Sequence, residues 1–318
     1  MLTPVLSLIV PVYLNEASVS ALLARLERLH ERLPGGLEAV IVVDGSTDRS
    51  LERLAEALPR MTFPSQLLLL SRNFGSFSAI QAGLQAAKGP FYAVMAADLQ
   101  EPEELLVSFQ AQLAADECDV VVGRREGRAD GLCSRLFATL FWAVYRRLVQ
   151  PEIPQGGIDI FGCNQLFRDH LLALHENNTS LVGLVYWLGF RRHEVAYVRL
   201  PREHGRSAWS LRRRVHYMLD SAFAFSSLPI RLMELLGILG LLLGAVLAAV
   251  VLYARVRGGV VVPGYTATML VVLFFGALNT LGIGLLGEYV WRAFENTKGR
   301  PRYVVARRLH FGEGREAP

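Results

Sequence analysis

The chain has 318 residues, is 52% hydrophobic and carries a formal net charge of +4. The length exceeds what one small core needs and points to two structural units. The hydropathy is high for a water-soluble enzyme, and the charge is too modest to mark a nucleic-acid binder. Its three cysteines, Cys118, Cys133 and Cys163, are an odd number without metal-ligand spacing, consistent with a reducing compartment.

The first residues, "MLTPVLSLIVPVYLNE", lack a basic n-region and are interrupted by Pro4 and Pro11, so they do not read as a secretory signal. Apolar runs at 5–10, 38–43, 66–70, 91–96 and 119–123 read as buried strands. The segments 16–33, 48–58, 77–87 and 102–115 between them have helical spacing. This alternation predicts an α/β domain built on a parallel sheet with right-handed crossovers. Ligands of such sheets gather beyond the carboxyl ends of the strands. That rule selects Pro11-Val12-Tyr13, Asp44-Gly45-Ser46, Ser71-Arg72-Asn73, Asp98-Leu99-Gln100 and Arg124-Arg125. No internal repeat or low-complexity tract is present.

Residues 134–149 put Phe137, Leu140, Phe141, Val144, Tyr145 and Leu148 on one helical face, flanked by Arg135, Arg146 and Arg147. This segment reads either as an interfacial helix or as an ordinary amphipathic helix packed on the sheet. Residues 209–231 run from a basic cluster into aromatics and read as an interfacial segment. Two uncharged runs follow, 235–254 and 258–287. The first is about 30 Å long as a helix, enough to cross a bilayer. The pair predicts a transmembrane hairpin over 232–290. Spaced glycines at 237, 240 and 244 suit either contacts between copies of the chain or packing of the two helices on each other.

Orientation follows from the basic residues. Arg231 precedes the first span, and Arg292, Lys298, Arg300, Arg302, Arg307 and Arg308 follow the second, whereas the connection holds Arg255 and Arg257. The side richer in Lys and Arg is expected to be cytoplasmic. The expectation is therefore a multi-pass protein of the inner (plasma) membrane, with 1–208 and a basic tail, 291–318, in the cytoplasm. Anionic lipid head groups suit the basic clusters better than nucleic acid does.

The strand-end residues occur in recognisable tags: "IVPVYLNEASV", "VVDGSTDRS", "LSRNFGSFSAIQAGLQAAKG", "AADLQEPEEL" and "GRREGR", with "GEYVWRAFENTKGRPRY" after the second span. In this order they resemble the polyprenyl-phosphate glycosyltransferases, membrane-attached members of inverting glycosyltransferase family 2 related to dolichyl-phosphate mannose synthase. The resemblance covers nearly the whole chain. It implies a Rossmann-like nucleotide-sugar domain of the glycosyltransferase A type followed by a two-helix anchor. The implied reaction moves a sugar from a nucleotide diphosphate to a polyprenyl phosphate, undecaprenyl phosphate in a bacterium.

The resemblance also assigns roles. Pro11, Tyr13, Asn15 and Glu16 would surround the base and ribose, with Asp44, Asp48 and Asn73 beside them. Asp44 to Asp48 also fit a turn that caps a helix. Asp98 would hold a divalent cation, Mg²⁺ or Mn²⁺, against the diphosphate, with Gln100 orienting a ligated water. Asp159, in "GGIDIFGCN", matches the acid found where the acceptor approaches, and it also suits a loop aspartate capping a helix that begins near Cys163. Arg125, beside Arg124, ends a Gly-x-Arg tag. Arg202, Arg206 and Ser207 match the loop that closes over phosphates, and the guanidinium fork suits phosphate oxygens.

The sequence departs from the family pattern at several points. The usual Asp-x-Asp reads Ala96-Ala97-Asp98, and the usual paired acids read Val43-Asp44. A Lys-Glu pair is replaced by Ser76-Phe77, and a lysine by Ala208. These departures bear on metal dependence and donor identity. Transfer to another lipid-linked acceptor, and a catalytically silent binding paralogue, remain open on the sequence alone.

Overall fold

A computed structural model describes residues 5–126, 158–176, 179–201, 220, 223–257 and 264–312. In chain order the elements are β1 (Leu6–Val12), α1 (Val19–Arg32), β2 (Leu37–Val43), α2 (Ser50–Ala57), β3 (Ser65–Leu70), α3 (Ser76–Ala86), β4 (Phe91–Val94), α4 (Glu103–Ala114) and β5 (Val120–Arg125). Then come β6 (Ile158–Asn164), α5 (Gln165–Ala173), α6 (Leu181–Trp187), β7 (Arg192–Tyr197), α7 (Leu228–Val256), α8 (Tyr265–Thr297) and β8 (Val305–Phe311).

Among the described residues eight strands join one sheet in the order β7-β5-β6-β4-β1-β2-β3-β8. β2, "LEAVIVV", is buried along its whole length, as a central strand covered on both faces must be. One face carries α1, α2 and α4 over a core that includes Leu26, Leu54 and Phe109. The other carries α3, α5 and α6 over Ile80, Phe167 and Leu184. α3 lies close on the sheet because of Gly83, where a Cβ would come within 2.4 Å of Ile9 Cγ2. The one acid sunk in β2, Glu38, accepts hydrogen bonds from Ser7, Gln66 and the Lys88 amide at 2.6–2.9 Å, which satisfies its charge.

The sheet is mixed, which corrects the expectation of a parallel one. The pairs β1–β2, β1–β4, β2–β3 and β5–β7 are parallel, while β4–β6, β5–β6 and β3–β8 are antiparallel. The reversal of β6 has a functional result. Its first residue pairs with Arg124, so β6 begins at the edge where β1, β2, β3, β4 and β5 end. Asp159 accordingly lies in a strand rather than in a capping loop. The helix that follows begins at Gln165, and its cap is Asn164, whose Oδ1 accepts from the Phe167 amide at 2.9 Å.

α7 and α8 are long and apolar enough to span a bilayer. They expose their large side chains outward, Leu241 at 76% and Ile283 at 73%, where a core helix would bury them. Lipid-facing helices show this pattern. The two helices touch at Gly240, where a Cβ would meet Phe275 at 2.8 Å; Gly237 and Gly244 face open space. The segment entering α7 is docked on the domain at α6, where a Cβ on Gly183 would lie 2.3 Å from Phe225.

Residues 291–318, expected as a basic tail, instead contain the end of α8 and the strand β8. The helix of 134–149, Cys133, and Arg202, Arg206 and Ser207 lie outside the described residues, as does most of 209–231.

Candidate active site

The carboxyl edge of the sheet collects four loops. Those after β1 and β2 are stitched together by polar side chains. Asn15 Oδ1 accepts from the Tyr13 amide at 3.1 Å, and Ser46 Oγ accepts from the Leu14 amide at 2.8 Å. Asp48 accepts from the Glu16 amide at 3.0 Å, from Ser46 Oγ at 2.7 Å and from the Ser50 amide at 3.2 Å. Partial burial works against its charge, but these hydrogen bonds outweigh it and hold the Asp48 carboxyl below its ordinary pKa. Glu16 returns the contact, accepting from the Arg49 amide at 3.2 Å and pairing with Arg53 at 2.9 Å.

Asp44 fastens the third loop. It is 2% exposed, and its two oxygens accept from the Phe74 amide at 2.7 Å and the Gly75 amide at 2.8 Å. Burial raises its pKa against the pull of these amides and of Arg72. Gly45 turns with φ +58°, and a Cβ there would sit 2.3 Å from the Arg72 carbonyl carbon, so the two loops are in backbone contact. Asn73 is exposed at the tip of this loop. The acids of the "VVDGSTDRS" tag thus fix loop shape through their side chains, and Pro11, in β1, sits in register with Val42.

Asp98 follows β4, the neighbour of β1 on the side away from β2. Its side chain is 13% exposed. The next residue, Leu99, is buried with φ +59°, a strained conformation for a branched side chain that points to a constrained turn. Arg25 of α1 holds that turn. Its Nη1 donates to the carbonyls of Leu99 at 2.9 Å and Glu101 at 2.8 Å. Arg25 escapes the sequence tags because its contribution is purely spatial, 74 and 76 residues from its partners.

At the other flank, Arg124 pairs with Glu126 at 3.2 Å and Glu194 at 3.5 Å, and Arg125 ends β5. The residues after β7 also reach this edge. Leu200 N donates to Gln100 O at 2.8 Å, Gln100 Nε2 donates to Leu200 O at 3.1 Å, and Arg199 Nη2 lies 3.7 Å from Asp98 Oδ2. No sequence pattern marks Arg199, because β7 before it is a half-exposed strand with weak apolar patterning.

Among the described residues no group of three His, Cys, Asp or Glu side chains converges as a metal cage. Asp98 offers one hard carboxylate with Gln100 nearby. Such a set fits a Mg²⁺-like ion only when phosphate oxygens and water complete its shell. A groove of about 920 Å³ runs along α8, lined by Phe223, Ala277, Leu281 and Gly284 and ending at Asp220, Glu288 and Arg292. It includes neither Asp98 nor Asp44. Arg292 closes its polar end, with Asp220 and Glu288 both at 2.8 Å.

A mixed sheet with its polar loops gathered over β4, β1 and β2, covered on both faces and followed by two apolar helices, defines a membrane-associated α/β enzyme of the glycosyltransferase A type. Residues 7–174 match the family model described as Glycosyl transferase family 2, and the chain belongs to that family. It is 31% identical to an uncharacterized glycosyltransferase of Synechocystis sp., over 95% of this chain and 94% of that protein. It is 33% identical to the undecaprenyl-phosphate 4-deoxy-4-formamido-L-arabinose transferase of Pseudomonas savastanoi pv. phaseolicola, over 94% of this chain and 89% of that one. Among solved structures, the mannosyltransferase PcManGT of Pyrobaculum calidifontis, in complex with GDP-Man and Mn²⁺, aligns over 92% of this chain and 87% of its own, at 19% identity and a TM-score of 0.49.

Proposed function

We propose that this glycosyltransferase moves a sugar from a nucleotide diphosphate to the phosphate of a polyprenyl carrier, with inversion at the anomeric carbon. One observation carries the reading: the mixed topology gathers Asp98, the arginine end of β5 and the Asp159-bearing start of β6 at one sheet edge, in a chain that also has two helices long and apolar enough to cross a bilayer. The undecaprenyl-phosphate relative supports the choice of acceptor.

In the proposed reaction an oxygen of the acceptor phosphate attacks the anomeric carbon. The bond to the donor diphosphate breaks, and the nucleoside diphosphate leaves with the electron pair. A phosphate monoester has its second pKa near about 6 and is largely dianionic at neutral pH, so the nucleophile needs no strong base. The demands on the protein are positioning and charge. Asp159 stabilises the oxocarbenium-like carbon and orients the acceptor, while Arg125, Arg202, Arg206 and Ser207 hold phosphate oxygens. Tyr13, Asn15 and Glu16, braced by Asp44 and Asp48, form the base and ribose side. A divalent cation bound at Asp98 together with the donor phosphates would neutralise charge on the leaving group. The catalytic domain faces the cytoplasm of a plasma membrane, beside the carrier's head group, and the α8 groove accommodates part of the isoprenoid chain.

Purified full-length protein, incubated in detergent with undecaprenyl phosphate and a panel of radiolabelled nucleotide sugars, should yield a labelled lipid of the mass of a monoglycosylated carrier. Asp98→Asn and Asp159→Asn are each expected to slow transfer at least about 100-fold, as loss of a transition-state charge contact does. Folded wild-type protein that labels no lipid with any donor would remove this reading, and a different lipid mass would redirect it to another acceptor.

A further inference from the structure

β7 runs parallel to β5, so the chain after Tyr197 emerges at the edge that carries Asp98. The reciprocal hydrogen bonds between Leu200 and Gln100 fix that chain against the Asp98 turn. The turn itself is held from behind by Arg25. Arg199 is therefore presented to Asp98 from a backbone that hydrogen bonds hold on both sides of the turn.

Its contacts leave the guanidinium undersatisfied. The approach of Nη2 to Asp98 Oδ2 at 3.7 Å is an ion pair, too long for a hydrogen bond. Nε is buried and has no hydrogen-bond partner. The side chain is 29% exposed, so one side of it remains open to the edge. A buried guanidinium donor left unpaired is unfavourable, and an arriving anion relieves it. The charge balance points the same way. With Ala96 in place of the first acid of the pair, the strand tip sets one acid fewer against an incoming diphosphate, and Arg199 beside it brings a donor, its buried Nε, that has no partner.

We propose that Arg199 is a donor-binding residue: parked on Asp98 in the free protein, its guanidinium hydrogen-bonds the donor's diphosphate and offsets the charge that builds there as the sugar leaves. The proposal rests on the nucleotide-sugar reading above. It gives to a side chain part of the charge compensation that a second carboxylate would otherwise recruit through a cation.

Calorimetry on the full-length protein in detergent tests it, with UDP and GDP as probes and uridine and guanosine as phosphate-free controls. Titrations run first in EDTA and then in MgCl₂. Wild type should bind one diphosphate more tightly than its nucleoside even in EDTA. Arg199→Ala should lose about 10- to 100-fold in affinity for that diphosphate, the range of a charged hydrogen bond, while nucleoside affinity stays unchanged. Arg199→Lys should recover part of the loss, and Arg199→Gln serves in place of alanine if the latter melts early. Undiminished diphosphate binding by the alanine or glutamine variant overturns the proposal. Equal losses for diphosphate and nucleoside also overturn it, since they make Arg199 a structural anchor only. If wild type binds neither UDP nor GDP with or without Mg²⁺, the nucleotide-sugar reading itself fails, a different outcome from either of these.

Discussion

Asp119 joins three strands at the start of β5. Arg191 Nε donates to its Oδ2 at 3.1 Å, Arg191 Nη2 donates to its Oδ1 at 3.0 Å, and Asn164 Nδ2 adds a bond at 2.9 Å. The hydrogen bonds from Arg191 lead, and together with Asn164 they outweigh partial burial and hold the Asp119 carboxyl below its ordinary value. A carboxyl depressed in the folded state adds stability above its unfolded pKa, about 3.9, and loses that stability as the pH falls through the folded value. Asp119→Asn should therefore lower the thermal midpoint at pH 7, and its gap from wild type should narrow steadily below about pH 4. A gap of constant size down to the acid limit would assign the effect to packing instead. At this scale the sequence reveals where polar residues gather but not what their side chains hold. The spacing of "VVDGSTDRS" locates a strand end, yet Asp44 turns inward to the amides of Phe74 and Gly75. Arg25 and Arg199 reach the Asp98 turn from α1 and from the end of β7, and no local pattern marks them.

Among the elements, the first five strands and the four helices between them were legible to within a few residues, because buried strands read as unbroken apolar runs and the helices between them as 3.6-residue stripes. β6, β7 and β8 were not. β7, "RHEVAY", has neither a long apolar run nor an alternation and lies half-exposed at a sheet margin, and β8 carries Arg307, Arg308 and His310 on exposed positions. Charges on an edge strand guard it against pairing with another chain, and here they imitate a basic membrane flank. β8 covers β3, whose "SQLLLL" is almost wholly buried, and the Ser71 amide donates to the Val304 carbonyl at 2.9 Å. Tyr303 adds a hydrogen bond to Gln85 on α3. Ending the chain before Val304 uncovers an apolar edge and removes support from the Ser71-Arg72-Asn73 loop. Such a truncation should elute as aggregate in size-exclusion chromatography while full-length protein in the same detergent stays monodisperse. Monodisperse truncated protein with an unchanged melting point would show β8 to be dispensable.

For the whole molecule, the sheet constrains the membrane topology. The strand before the hairpin, β7, and the strand after it, β8, belong to one sheet, so both lie on the same side of the bilayer and the chain crosses an even number of times. An even number of crossings follows from the sheet without any count of basic residues, and the two apolar helices agree with it. A single cysteine placed in 258–263, in a variant lacking the native cysteines, should react with a membrane-impermeant maleimide added to the outside of intact cells. One placed at exposed Gly312 should react only after the membrane is opened. Labelling of both from the same side would contradict the hairpin.

The pairing of Leu67 with Leu309 also orders events in time. A ribosome delivers β3 well before β8, with two hydrophobic helices to be inserted in between. Until β8 arrives, the edge of β3 waits without a neighbour, and closing it requires segments far apart in sequence to meet. Maturation of the water-exposed half is thereby tied to success in the lipid half. A copy whose helices fail to insert keeps an open, sticky margin, the feature by which quality-control machinery tells unfinished chains from finished ones.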